Sequence, residues 1–323
     1  MNQTSVTGKT VLLVGGTGSI GRATAAALRA AGHDVTALVR PGADTKALAG
    51  CTLIEGAVTA PETRQRALAG GIDAVVSCLA SRMGGKKDAW AIDYQAHSDL
   101  LKDARAAGIG QFVLLSAICV QKPTLAFQQA KLAFEDELQA AGLTWSIVRP
   151  TAFFKSLSGQ IERVKAGKPF LVFGDGRLTA CKPISDADLG SYIARCLTDP
   201  ALQNRILPIG GPGPALTPLD QGRMLFDLVG QEPRFRHVPL RFLDTIIGGL
   251  ALAGRLFPKA AEKAEFARIG RYYASESMLV LDPATGRYDA DATPEFGTDT
   301  LSEHYQKALR GEIADDRGDH AVF

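Results

Sequence analysis

Two hydrophobic patterns alternate along the first 150 positions of the chain. Short apolar runs such as Val11-Leu12-Leu13-Val14 and Ala74-Val75-Val76 are bracketed by glycine, proline or charge, and they have the length of strands buried on both faces of a parallel sheet. This pattern predicts strands at 10–14, 35–39, 52–54, 74–77, 112–115 and 145–148. Between them lie longer stretches, several rich in alanine, that predict helices at 20–31, 61–68, 94–107 and 125–141. Gly32, Gly108 and Gly142 stand where a left-handed residue closes a last helical turn, and Pro61 stands where proline opens a first one.

Strands separated by helices imply βαβ units, hence an α/β fold with a doubly wound parallel sheet. The alternation fades after Pro150, where glycine and proline punctuate 173–176 and 210–214. A helix at 185–197 is expected to pack back on the sheet, and further helices are expected at 217–229 and within 240–273. The chain is thus expected to hold a nucleotide-binding domain at 1–150, with 180–210 returning to it. A smaller, mostly helical C-terminal substrate lobe then occupies 151–323. The very apolar stretch 240–257 contains Arg241, Asp244 and Arg255. Its uncharged centre is about half of the ~20 residues that a spanning helix needs. It is expected to be a buried or interfacial helix, which leaves peripheral membrane contact open.

The junction of the first strand and first helix reads Gly15-Gly16-Thr17-Gly18-Ser19-Ile20-Gly21 and satisfies both GxGxxG and GxxGxxG. Such a loop needs glycine for the tight turn, for close approach of backbone to a pyrophosphate, and for helix–strand packing. The helix N-terminus then meets the phosphates with unpaired N–H groups. In this βαβ context the loop predicts a Rossmann-type dinucleotide site. Gly15, Thr17, Gly18, Ser19, Ile20 and Gly21 are its candidate contacts, together with Leu79 after the fourth strand. An acid at the end of the second strand would hold ribose hydroxyls; here Arg40 stands there and Asp34 lies at the opposite end. An arginine suits a 2′-phosphate, so the expected cofactor is NADPH.

Short-chain dehydrogenases carry Tyr-x-x-x-Lys on the helix that here reads Phe127-Gln128-Gln129-Ala130-Lys131. The lysine is kept and the tyrosine is phenylalanine, which cannot give a proton to a carbonyl oxygen. Reduction of a conjugated C=C bond places charge on carbon and in the attached π-system, so it does not require that phenol. Lys131, Ser116 at the end of the fifth strand and Tyr94 are the candidate catalytic residues.

Longer strings carry a more specific resemblance. Val75-Val76-Ser77-Cys78-Leu79-Ala80-Ser81-Arg82, Ile92-Asp93-Tyr94-Gln95-Ala96, Phe112 through Pro123, Ser146 through Leu157, Ala180 through Ser185, Leu207 through Gly213 and Ile269 through Pro283 resemble the NADPH-dependent divinyl chlorophyllide 8-vinyl-reductases. The resemblance implies hydride transfer from NADPH to the 8-vinyl group of a magnesium tetrapyrrole in chlorophyll or bacteriochlorophyll synthesis. Lys131, Tyr94, a cysteine or water could supply the proton. For a flat apolar ring with a propionate, Phe153 and Phe154 are candidate stacking residues, with Lys155 or Lys182 near the acid. His97, His237 and His304 could be axial magnesium ligands or, as isolated histidines usually are, structural. Two other readings stay open: a non-catalytic NADP-sensing regulator, and an isoflavone-reductase-like ene reductase acting on a smaller substrate.

Composition narrows the classes. With 36 basic and 34 acidic residues the net charge is +2, so no nucleic-acid partner is expected. The five cysteines form no CxxC pair, which leaves disulfide, iron–sulfur and metal sites without support and fits a reducing cytoplasm. Residues 1–10 are short and polar, unlike a leader peptide. Oligomeric state is not legible.

Overall fold

The computed structural model describes residues 8–82 and 84–313; the polar stretch 1–7 and the tail 314–323 of the C-terminal lobe lie outside the described residues. Strands β1 (Thr10–Val14), β2 (Asp34–Val39), β3 (Thr52–Glu55), β4 (Ala74–Ser77), β5 (Gln111–Leu115) and β6 (Thr144–Pro150) alternate with helices. The helices are α1 (Ser19–Ala30), α2 (Pro61–Leu68), α3 (Lys86–Ala89), α4 (His97–Ala106) and α5 (Ala126–Gln139). All sheet pairings are parallel, in the order β3-β2-β1-β4-β5-β6-β8, where β8 is Arg205–Ile209.

The unbroken apolar runs are explained by two cores, one on each face of the sheet. Along β1, Val11 and Leu13 enter a core shared with Leu28 of α1 and with Leu189 and Ile193 of segment 180–210; Leu12 and Val14 enter another with Leu100 of α4 and Phe134 and Leu138 of α5. Both faces of the strand are dry, so no polar position interrupts it. Segment 180–210 supplies two elements: α7 (Asp186–Arg195), capped by Ser185, and β8. Strand β8 is absent from the sequence reading, and it carries Pro208, which a central strand would not tolerate. The sheet resolves this by placing β8 at its edge, paired only with β6, where a missing N–H costs little.

The rest of the chain forms the lobe: α6 (Ile161–Lys165), β7 (Phe170–Phe173), α8 (Pro218–Leu228), β9 (Phe235–Val238), α9 (Leu240–Ala253), α10 (Pro258–Tyr273), β10 (Val280–Asp282), β11 (Arg287–Asp289) and α11 (Leu301–Leu309). It is mostly helical but adds two small sheets, β7 with β9 and β10 with β11. The stretch 240–273 breaks after Ala253 into α9 and α10. No residue of α9 is buried, so the buried alternative for 240–257 does not hold. Phe242, Leu252, Leu256 and Phe257 are 58–79% exposed.

Candidate active site

The carboxyl ends of β1, β4, β5 and β6 form one edge of the sheet, and the strand order reverses between β1 and β4. Ligands of open α/β sheets bind at that reversal. The glycine loop lies there, and its three spaced glycines are required for different reasons. Gly15 has φ +76°, and a Cβ on it would lie 2.5 Å from the Cys78 backbone. A Cβ on Gly21 would lie 2.1 Å from the Gly15 carbonyl oxygen, so Gly21 is needed for packing of α1 on the loop. A Cβ on Gly18 would meet only that same oxygen, at 3.5 Å, so the fold itself does not demand glycine at 18. This distribution favours the 15-18-21 register over 16-18-21, since the nearest atoms to a Cβ on Gly16 are side-chain atoms of Leu13 and Leu48, at 3.2–3.6 Å.

The first bond of α1 runs from Arg22 N to the Gly18 carbonyl at 2.8 Å. The amides of Ser19, Ile20 and Gly21 precede it. No side chain caps them, and the first turn carries no acid. A helix start in this condition suits an anion, and an open face at Gly18 suits a close phosphate. The residues present therefore fit a dinucleotide pyrophosphate. Thr17 is half-buried beside the loop, and Arg40 is exposed just past the end of β2. Leu79 follows β4, and its amide donates to Ser77 Oγ at 3.4 Å.

Lys131 faces this edge from α5. Its Nζ lies 3.1 Å from Asp93 Oδ1, with the two side chains 10% and 0% exposed. Asp93 also accepts from Ser81 Oγ at 2.6 Å and from Ser81 N at 3.3 Å, so the buried carboxylate is well satisfied. Asp93 sits in a π-helical turn, Trp90–Ala96, that leads into α4. Such turns often occur at functional sites. Tyr94 in the same turn lies edge-on to Trp90, with centroids 5.5 Å apart. Asp93 and Ser81 join Lys131 at the candidate site, and no sequence signal points to them, because only tertiary contact brings them to Lys131.

Phe127, one turn before Lys131, is buried in an apolar cluster with Cys119, Ala130, Ile269 and Tyr272. Ser116 is buried and donates to Glu135, which also pairs with Arg149. Its hydroxyl proton is therefore committed to a carboxylate. Phe153 and Phe154 part company. Phe154 is 4% exposed in the core of the lobe, 5.4 Å from the His304 ring, which removes it as a stacking surface; Phe153 is half-buried and packs on the sheet core. Lys155 is half-buried beside them. Lys182 is bound to Glu295 at 2.5 Å, a partner that competes with a substrate carboxylate.

The histidines have structural partners. His97 Nδ1 lies 2.8 Å from the Ile92 carbonyl, which can only accept, so Nε2 accepts from Ser77 Oγ at 2.8 Å. Burial, then the Lys131 charge, pushes its pKa down to about 4 and keeps the ring neutral. His304 is bonded to Ser158 and His237 to the Gly174 carbonyl. Among the described residues no cluster of His, Cys, Asp and Glu could hold a metal ion.

Known proteins match the chain over its length. A family described as NAD(P)H-binding covers residues 15–200. The chloroplastic divinyl chlorophyllide a 8-vinyl-reductase of rice (Oryza sativa subsp. indica) is 49% identical over 97% of this chain and 82% of its own. The crystal structure of isoflavone reductase matches with a TM-score of 0.67 at 20% identity, covering 95% of this chain and all of that one. An NADPH-dependent quinone oxidoreductase of Escherichia coli, solved with NADPH, matches with a TM-score of 0.69 at 16% identity, over 93% of this chain and all of that one. These two establish the fold alone. The loop that can cradle a pyrophosphate and the extent of the sequence match together place the chain in the NAD(P)H-binding family and, within it, among the divinyl chlorophyllide a 8-vinyl-reductases.

Proposed function

We infer that the protein reduces the 8-vinyl group of divinyl chlorophyllide or protochlorophyllide to ethyl with NADPH. The observation that carries this reading is the 49% identity across 97% of the chain, because the shared sequence includes the lobe and not the dinucleotide loop alone. When bound, NADPH supplies a hydride. The chain's own residues do the rest. The bare start of α1 and the open face at Gly18 hold the pyrophosphate, and Thr17 and Leu79 flank it. Lys131, oriented by Asp93, binds the nicotinamide ribose and sets a positive potential over the reacting edge. Phe127, buried at the position where a carbonyl reductase carries its phenol, has no proton to give. Phe153, Tyr94 and Lys155 border the space for the macrocycle. The reading is tested by mixing purified protein with NADPH and divinyl chlorophyllide. Loss of NADPH absorbance together with a blue shift of the Soret band supports it; a divinyl spectrum that persists while NADPH binds overturns it in favour of a dinucleotide sensor.

The choice of NADPH over NADH rests on Arg40, which extends from the end of β2 where the 2′-phosphate of the adenosine ribose would lie. A charge-assisted bond is worth about 1.5–3 kcal/mol, or roughly ten-fold to a hundred-fold. Arg40→Ala is expected to raise KM for NADPH by about that factor and to leave KM for NADH nearly unchanged. Equal changes in the two values contradict the assignment.

The outer face of α9 supports peripheral contact with an anionic membrane surface. Its uncharged stripe of Phe242, Ile246 and Leu252 is exposed and continues into Leu256 just past its end, with Arg241, Arg255 and Lys259 exposed around it. The one acid of the helix, Asp244, is bonded to Arg271 at 2.8 Å. This is the distribution of a helix lying in a lipid interface, and no helix among the described residues is long and apolar enough to cross a membrane. The five free thiols support a reducing, cytoplasmic compartment. The protein is expected to co-sediment with vesicles containing phosphatidylglycerol and not with neutral phosphatidylcholine vesicles. The variant Leu252→Asp/Leu256→Asp is expected to stay in solution with both, and continued sedimentation of that variant contradicts the assignment.

A further inference from the structure

Vinyl reduction consumes a hydride and a proton, and the residue that gives the proton is not the one at the usual helical position, since Phe127 has none to give. We propose that Tyr273, arriving from α10, is the general acid of this site; the proposal rests on the reductase reading above. Helix α10 ends over the first turn of α5. At Gly84 the two meet: a Cβ built there would lie 3.0 Å from Ile269 Cδ1 and 3.4 Å from Phe127 Cδ1. Tyr273 packs against the apolar cluster that contains Phe127, and so do Ala117 and Ala152, which follow the carboxyl ends of β5 and β6. A phenol from the lobe is thereby brought to the ground that a short-chain dehydrogenase fills with tyrosine from α5.

The two neighbouring tyrosines are held differently. Tyr272 is buried, and its hydroxyl lies 2.9 Å from the Cys119 carbonyl and 3.1 Å from that of Lys122. Its proton is occupied by two strong acceptors. Tyr273 stands perpendicular to it, with centroids 5.7 Å apart, and is only half-buried. Its hydroxyl lies 3.8 Å from Cys119 Sγ, a weak partner that leaves the proton available. Burial, then Cys119, raises the phenol well above its ordinary value, so it is fully protonated at neutral pH.

Hydride adds to the terminal vinyl carbon, and the electron pair of the C=C bond moves to the inner carbon and into the macrocycle. The O–H bond of Tyr273 breaks as a C–H bond forms at that inner carbon, which completes the ethyl group. Solvent water then returns a proton to the phenolate. Oxidised dinucleotide and ethyl product leave with no other reductant needed.

Tyr273→Phe keeps the ring and its contact with Tyr272, so the fold and the NADPH dissociation constant are expected to stay within about two-fold of the parent. General acid–base groups contribute about 100-fold or more, and kcat should fall by that amount. Protonation then limits the rate, so the primary isotope effect from deuterated NADPH is expected to shrink while the solvent isotope effect grows. A variant with kcat within about three-fold of the parent and unchanged isotope effects overturns the assignment and leaves the reductase reading intact. A parent protein that binds NADPH yet leaves the vinyl group unreduced overturns both.

Discussion

Lys131→Met is expected to lower kcat by about 100-fold, the usual effect of removing one preorganised charge from a reacting site. The same change should lower folding stability by about 3 kcal/mol, because it strands Asp93, whose side chain is fully buried, without its cation. The two losses have different physical sources and can be separated. In the double variant Lys131→Met/Asp93→Asn the carboxylate charge is gone, and an amide can still accept from Ser81. Stability is expected to recover most of its loss, read as the midpoint of urea unfolding, while kcat stays low. A single variant that is destabilised yet turns over at the parental rate would make Lys131 a purely structural partner of Asp93.

That ion pair also marks the boundary of what could be read from the sequence. Lys131 is legible because it sits four positions from residue 127 on one helix. Asp93 and Ser81 are not, because a π-helical turn and a loop bring them to Lys131 from a different βα unit. Ser116 is legible as a position at the end of β5, but its commitment to Glu135 depends on side chains that meet only in the fold. Phe154 shows the opposite error. An aromatic pair after a strand suggests a ligand surface, yet successive residues point to different sides, and one ring enters the lobe's core. Strands β1, β4 and β5 are legible within a residue or two because burial on both faces leaves them almost uniformly apolar. Strand β8 is not, since an edge position tolerates a proline that a central strand would reject. Tyr273 falls in a string that carries the family resemblance, but the sequence alone gives it no role, and only the packing of α10 over α5 supplies one.

The largest expected effect on cofactor binding comes from a single added side chain. Gly18→Val places two methyl groups where the pyrophosphate approaches the backbone. Gly18 has φ −71° and ψ 164°, a conformation open to valine, and its Cβ position is free of close contacts. The variant is expected to fold, at a cost of about 1 kcal/mol at the helix N-cap. Its NADPH dissociation constant should rise by about 100-fold or more, equivalent to about 2.7 kcal/mol. Gly21→Val is the contrasting change. Its Cβ would lie 2.1 Å from the Gly15 carbonyl oxygen, so that variant is expected to lose its folded state rather than its ligand alone. Calorimetric titration of both variants, with melting curves, separates the two. A Gly18→Val protein that binds NADPH normally would show that the pyrophosphate does not lie on this loop.

Every step of this account depends on a reduced nicotinamide delivering its hydride directly to the vinyl carbon. The decisive measurement is turnover of divinyl chlorophyllide with NADPH stereospecifically deuterated at C4, in both stereochemical forms, followed by mass and NMR analysis of the product. One of the two forms is expected to place a single deuterium in the methyl of the new ethyl group. Product carrying no label from either form would contradict direct transfer and with it the role given to this site.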